Sequence, residues 1–386
     1  MTRGYMIAGA IQCIGYPVRV VGYLPYGQSI YPIPPSTLDV EAVSAASYAG
    51  LVWKLNRALH DDVVYAIKPH ANSFGAALYS RIIRSHRLIL DVDDWEPGFT
   101  QSKTPIVHSK TFKETACSYY FSMLRFLRCS SNFRYSTSLK NFYRLQNKIP
   151  TAEAVTANTR AMQHKYQAHY LPSAKDTSKF DPARFNAEAA RSALGLSQYK
   201  VLMFPGTPRS HKGLEDLLTA IEQLGQPEVK LVIVGGRTEG NSYTNTLMAR
   251  WNRWILRLPQ TSSDDMPGII AAAHVIVLPQ RNTPAAQAQF PMKLTDGMAM
   301  AKPILSTYVG DIPEIVGDTA YLVKPDSPNA IAETIKNILR NPEEAYLKGQ
   351  EARSRCIKHF SFKHIGEMLL SILEPRSHQI TTQPEH

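Results

Sequence analysis

The 386-residue sequence predicts an α/β protein of two doubly wound, parallel-sheet domains. Three observations lead there. Short apolar runs recur along the chain, separated by segments of helical periodicity, the pattern of strands covered by helices on both faces. The length suffices for two separate cores. Charge is unevenly shared: residues 1–172 hold 19 of the 43 Lys+Arg and 10 of the 32 Asp+Glu, so they carry +9 of the net +11. A basic half joined to a nearly neutral one suggests an anionic partner for the first.

In chain order, residues 4–15 read as a helix that turns at Gly15-Tyr16-Pro17 into the strand VRVVGY, 18–23. DVVYAIKP, 62–69, and RLILDVDDWE, 87–96, are the next strands. Ligands of open α/β sheets bind beyond the carboxyl ends of strands, which is where His70, Asn72, Ser73, Asp93, Asp94 and Glu96 fall. Asp93 and Asp94 equally suit a metal ion or the cap of a following segment. Residues 113–148 carry seven Lys/Arg and one acid, Glu114, among eight Phe and Tyr. Such a segment suits an anionic lipid surface, single-stranded nucleic acid, or an amphipathic helix pair packed on its own domain. A short strand at 152–157 follows, then VLMFPG at 201–206, VKLVIVGG at 229–236, WILRLPQ at 254–260 and HVIVLPQ at 274–280. Helical segments over 329–360 and 362–373 complete the chain.

The stretch Ala285 to Gly317 reads as loop, helix, strand and turn in succession, and it is the expected centre of the chemistry. Pro291 suits the first helical position, so the helix opens at Phe290 or Pro291. Leu294, Met298 and Ala301 form its buried stripe, while Lys293 and Asp296 share a side that can face a cleft. Free amides around Met292 and Lys293 suit a phosphate, and Asp296 can accept hydrogen bonds from sugar hydroxyls.

MAMAKPILSTYVGDIPEIVG resembles the donor-binding signature of glycosyltransferase family 4, retaining enzymes of the GT-B fold. That fold implies two Rossmann-like domains facing a cleft, with the N-terminal strand and its Gly-rich loop missing here. The resemblance implies a first, acceptor-side domain over 1–172, a crossing through YLPSAKDTSKFDP, and a nucleotide-sugar domain over 173–360. A last segment, 361–386, would return as a helix to the first domain. It also implies site residues. Gly206 ends the first strand of the second domain; Thr207 takes the family's arginine slot, so Arg209 is the substitute, and Lys212-Gly213 match. Arg209, Lys212, Lys293 and Asp296 are the candidate catalytic residues. Asp296 stands for the second of two glutamates eight apart, while the first falls on Ala288. Gln287 and Gln289 flank that gap and can supply amide hydrogen bonds; with Phe290, Pro291 and Met292 they complete the donor site. His70, Asp93 and Asp94 lie on the acceptor side.

The function so implied is sugar transfer from a nucleoside diphosphate sugar to an acceptor, lipid-linked or polysaccharide, with retention and without a metal ion or other cofactor. The setting it implies is cell-envelope polysaccharide synthesis. A lipid surface is preferred to nucleic acid as partner of the basic segment because the family often glycosylates lipid-linked acceptors. Two rivals are a nucleotide-sugar epimerase and a non-catalytic binding or scaffold protein; the latter would explain both the missing glutamate and the missing strand. Cys13, Cys117, Cys129 and Cys356 have neither disulfide-framework nor metal spacing. With no long apolar span or cleavable leader, a cytoplasmic protein, peripheral on the inner membrane face, is expected.

Overall fold

The computed structural model describes residues 2–24, 30, 34–45, 47–93, 139–235 and 242–374. Strands β1 (Arg19–Tyr23) and β2 (Asp39–Val43) pair in parallel. Strands β3 (Val63–Ile67), β4 (Arg87–Val92), β5 (Ala154–Ala157) and β6 (His169–Tyr170) form a four-stranded parallel sheet in that order. The second domain contains β7 (Lys200–Pro205), β8 (Val229–Val234), β9 (Ile255–Leu258), β10 (Val275–Leu278), β11 (Ile304–Thr307) and β12 (Tyr321–Val323). They form one parallel sheet in the order β12-β11-β10-β7-β8-β9.

Alternation along β7 explains why this sheet needs helices on both faces. Leu202 and Phe204 join the cluster of Leu214, Leu217 and Leu218 from the helix Leu214–Leu224. Val201 and Met203 point the other way, to Leu294 and Met298 of the helix Met292–Ala299. Successive side chains of a strand face opposite ways, so an unbroken apolar run serves two cores at once.

Several boundaries differ from the sequence expectation. The first helix runs Thr2–Cys13, and the strand expected from 254 starts at Ile255 after a 3₁₀ turn. The expected helix over 329–360 is two helices, Pro328–Arg340 and Pro342–Phe360. Pro342 has no N–H to give, and its ring would clash with the carbonyl four residues back. β2, β6 and β12 were too short or too polar to be singled out. Of the segment 113–148 only its end lies within the described residues: the helix Leu139–Gln146 buries Leu145 in the first core and exposes Tyr143. Among the described residues no helix is long and apolar enough to cross a membrane.

Among the described residues, contacts that tie the domains together include the following. The helix Phe362–Leu373 lies on the first helix so closely that a Cβ on Gly366 would come 2.5 Å from the Ala10 carbonyl oxygen. The outgoing and returning chains bridge in parallel, Lys175 N donating to Phe360 O at 2.7 Å and Phe362 N to Lys175 O at 3.1 Å. Arg160, opening the helix Arg160–Tyr166, grips Glu314 with its guanidinium, at 3.0 and 3.1 Å from Nε, and stacks 3.8 Å over Tyr170. Its backbone N–H donates to Asp311 Oδ2 at 2.8 Å.

Within the first domain, Arg3 reaches wholly buried Asp91 in a bidentate pair of 2.7 Å bonds and also donates to Leu171 O at 2.8 Å. Thr156 Oγ1 supplies a third bond to the carboxylate, at 2.7 Å. Asp91 is thereby consumed as a structural anchor between the first helix, β4, β5 and the crossing. Replacing Arg3 by Met leaves that carboxylate buried and unpaired, and should cost about 3–5 kcal/mol of stability in urea unfolding.

Candidate functional site

Connections leave β7 toward β8 and β10 toward β11, on opposite sides, so the strand order reverses between them and opens a crevice at their carboxyl ends. The candidate residues gather there. Pro205 ends β7 and Gly206 follows; a Cβ on Gly206 would lie 3.6 Å from Lys293 Cε, so the lysine stem crosses directly above it. Thr207 and Arg209 are exposed, Arg209 leading into the 3₁₀ turn Ser210–Lys212. Gly213 closes that turn at φ 68°, and a Cβ there would stand 1.9 Å from the Pro279 carbonyl oxygen. Only glycine permits both the dihedral and the approach. Arg281 N donates to His211 O at 3.0 Å, so the turn is sewn to the end of β10.

This seam places Lys212. Its ammonium donates to Gln280 Oε1 at 2.8 Å and to Gln289 Oε1 at 2.5 Å. Gln280 is fully buried, and its own carbonyl accepts from Thr307 Oγ1 at 2.6 Å. His211 shares a hydrogen bond with Gln289; burial first, then Lys212 and Arg209, push its imidazole down to about 4. It is neutral at pH 7 and adds no charge to the cluster.

The helix of the opening expectation begins one residue later than read. Pro291 is its N-cap, with ψ 79°, and the helix proper is Met292–Ala299. A proline followed by a short glycine-containing helix fits either position by composition. Lys293 Nζ lies 3.5 Å from Asp296 Oδ2, and Lys175 Nζ bonds the other oxygen. Asp296 is only 4% exposed, so its carboxylate is taken up by two lysines beneath the cleft surface rather than displayed in it. The Phe290 ring is likewise in the core, edge-on to Phe360 at 6.1 Å. Met292 is partly buried against the same core. Gln287 is exposed and donates to Asn282 Oδ1 at 2.8 Å.

Ala288 is 3% exposed and joins the first domain's cluster with Ala71 and Phe74. Those residues belong to the π-helical turn Ala71–Gly75, whose N-cap is His70, so the segment that follows β3 and the stretch from Ala285 to Gly317 meet at this alanine. Asp93 is buried and lies 3.4 Å from Lys68 Nζ. Asp94 lies outside the described residues. Among those described, no cluster of His, Cys, Asp and Glu could hold a metal ion. The structure thus brings Lys212 to Gln289 and Lys293 to both Gly206 and Asp296, and carries Arg209 on the same turn as Lys212. Gln280 and Lys175 were missed; each acts through a partner 68 or 121 residues away, which no local pattern announces.

Residues 199–341 match the family model described as glycosyl transferases group 1. Spore coat protein SA of Bacillus subtilis is 28% identical over 200 residues, 48% of this chain and 52% of that one. Alpha-maltose-1-phosphate synthase of Mycolicibacterium smegmatis is 26% identical over 225 residues, 53% and 56% of the two chains. The chain thus spans about half the length of these relatives. Among solved structures, Anabaena Alr3699/HepE in complex with UDP-glucose superposes with a TM-score of 0.68 at 17% identity, covering 96% of this chain and 95% of that one. Sucrose-phosphate synthase from Thermosynechococcus elongatus gives 0.68 at 16% identity, covering 95% and 90%. The fold is GT-B.

The depressed imidazole has a measurable sign. An unfolded histidine takes up a proton near pH 6.5, whereas folded His211 resists it until about 4, so the unfolded state binds more protons between these values. Stability should fall as pH drops through that window, and His211→Gln should make urea midpoints between pH 7 and 5 less pH-dependent than in the parent.

Proposed function

We propose that this chain, whose residues 199–341 carry a group 1 glycosyl transferase domain, transfers a sugar from a nucleoside diphosphate sugar to an acceptor with retention at the anomeric carbon. The observation that carries the reading is that Lys293 crosses over Gly206 at the end of β7 while Lys212, with Arg209 on the same turn, is held by Gln280 and Gln289 beyond the end of β10, the two sides of the switch point of the second sheet. Breaking the bond between anomeric carbon and phosphate oxygen leaves its electron pair on the diphosphate. Arg209, Lys212, Lys293 and the start of the helix Met292–Ala299 would offset that developing charge. Gly206 and Thr207 let the phosphates approach the backbone closely. Gln287 and Gln289 offer amides to the sugar where the resemblance expects a carboxylate. Asp296 acts by holding Lys293.

The acceptor would enter from the first domain, past His70 and Asp93, and form its new bond on the same face of the sugar that the diphosphate leaves. The net +9 of residues 1–172 favours an anionic acceptor or an anionic bilayer that presents it.

Release of nucleoside diphosphate, assayed with a panel of nucleotide sugars, tests the reading. Lys212→Ala and Lys293→Ala should each lower turnover at saturating donor by about 10²–10³-fold while leaving unfolding midpoints near the parent. Normal turnover in either variant would remove that lysine from the phosphate site. Because Arg209, Lys212 and Lys293 would supply three cations to the phosphates, EDTA should leave turnover unchanged, and loss of activity restored by magnesium or manganese would overturn the metal-free mechanism.

A further inference from the structure

Asp296 is shared unequally by two lysines. Lys175 reaches it from below: this residue of the crossing is 3% exposed, and its ammonium lies 3.2 Å from the centre of the Phe180 ring. Lys293 reaches it from the cleft, with 38% of its side chain exposed. Burial alone would raise the Asp296 carboxyl, but Lys175 and then Lys293 outweigh it and hold it below the usual carboxylate range. The carboxylate is therefore charged; burial pulls the Lys175 ammonium below the usual lysine range while Asp296 beside it works the other way, and with Lys175 protonated in this pair the three groups together carry one net positive charge.

A buried ion pair is a poor device for stability, since well-packed apolar residues of similar size do as well or better. The geometry points to a different use, and we propose that Lys175 is a positioning residue for the phosphate site: by neutralising Asp296 from within the protein, it leaves the charge of Lys293 uncompensated and available to an anionic diphosphate in the cleft. This rests on the donor site described above and adds to it a residue of the interdomain crossing. Without Lys175, Asp296 and Lys293 would cancel, and a bound phosphate would have to compete with a buried carboxylate for the one ammonium that covers Gly206. With Lys175 in place, the carboxylate keeps a partner when Lys293 swings to the ligand. The backbone of Lys175 is itself fixed by the bridge to Phe360 and Phe362, so its side chain enters from a constant origin.

The test is a titration with UDP, ADP and GDP of the parent, Lys293→Ala, Lys175→Met and the double variant Lys175→Met/Asp296→Leu. Lys175→Met should weaken binding of whichever diphosphate the parent prefers by about tenfold or more, and should lower turnover at saturating donor in the same direction as Lys293→Ala, because one unit of attraction is lost from a partly desolvated site. The double variant removes both buried charges and restores the net positive charge, so its affinity should return to within about threefold of the parent. A purely structural role predicts unchanged affinity in Lys175→Met and overturns the proposal. So does a double variant that folds yet binds as weakly as the single, which would mean that Asp296 touches the ligand itself. Should Lys175→Met not fold, the double variant, which buries no unpaired charge, decides alone: affinity within about threefold of the parent supports the proposal, and affinity about tenfold or more below the parent overturns it. If the parent binds none of the three diphosphates, or Lys293→Ala binds like the parent, the donor site itself is wrong and this inference falls with it. Parent binding with an indifferent Lys175→Met removes this inference only.

Discussion

The close approach of the turn Ser210–Lys212 to the end of β10 is the constraint on which the rest of the site depends. Two parallel strands whose connections depart in opposite directions leave a gap at their carboxyl ends, and nothing in the sheet itself fills it. Here the gap is narrowed by Gly213, which lets the turn touch Pro279, and by the backbone bond from Arg281 to His211. Lys212 is thereby delivered to two glutamine carbonyls instead of extending into water. The neutral partners matter. A carboxylate in the place of Gln280 or Gln289 would have cancelled the ammonium, whereas an amide orients it and leaves its charge intact.

Much of this was readable before any coordinates. Most strands of the second domain are apolar runs because both faces are covered, and period and length located them, the three-residue edge strand β12 excepted. Lys212-Gly213 and Lys293 stood out because they follow a strand end or open a helix, both local features. What escaped notice was long-range or shape-dependent. Asp296 read as a cleft residue because it lies one turn from Lys293; that Lys175, 121 residues earlier, would take its charge is a tertiary fact. Phe290 read as a donor contact on resemblance, whereas its ring fills the space beside Phe360. Asn341-Pro342 splits a helix whose amphipathic pattern continues across the break, so periodicity concealed what the proline decided.

The buried charges divide into two kinds. Arg3 and Asp91 are matched one to one, bidentate, and surrounded by further donors and acceptors, which is what a carboxylate deep in a core requires. Lys175, Asp296 and Lys293 are an odd number, and the surplus charge emerges at the cleft. Counting charges in each cluster separates scaffolding from function more sharply here than burial does, since Asp91 and Asp296 are both sequestered.

The chain crosses between the two domains at Lys175 and returns beside it at Ser361, where the outgoing and returning segments bridge in parallel and the last helix goes on to pack against the first. Two bodies joined by such a double crossing have it as the natural axis of any swing, like the covers of a book about its spine. Displacement then grows with distance from the spine, so the outer rim opens widely for a large substrate while residues near the spine scarcely move. Lys175 sits at that spine. The electrostatic setting of the phosphate site would thus persist through opening and closing, and a nucleotide could stay seated while one acceptor leaves and the next arrives.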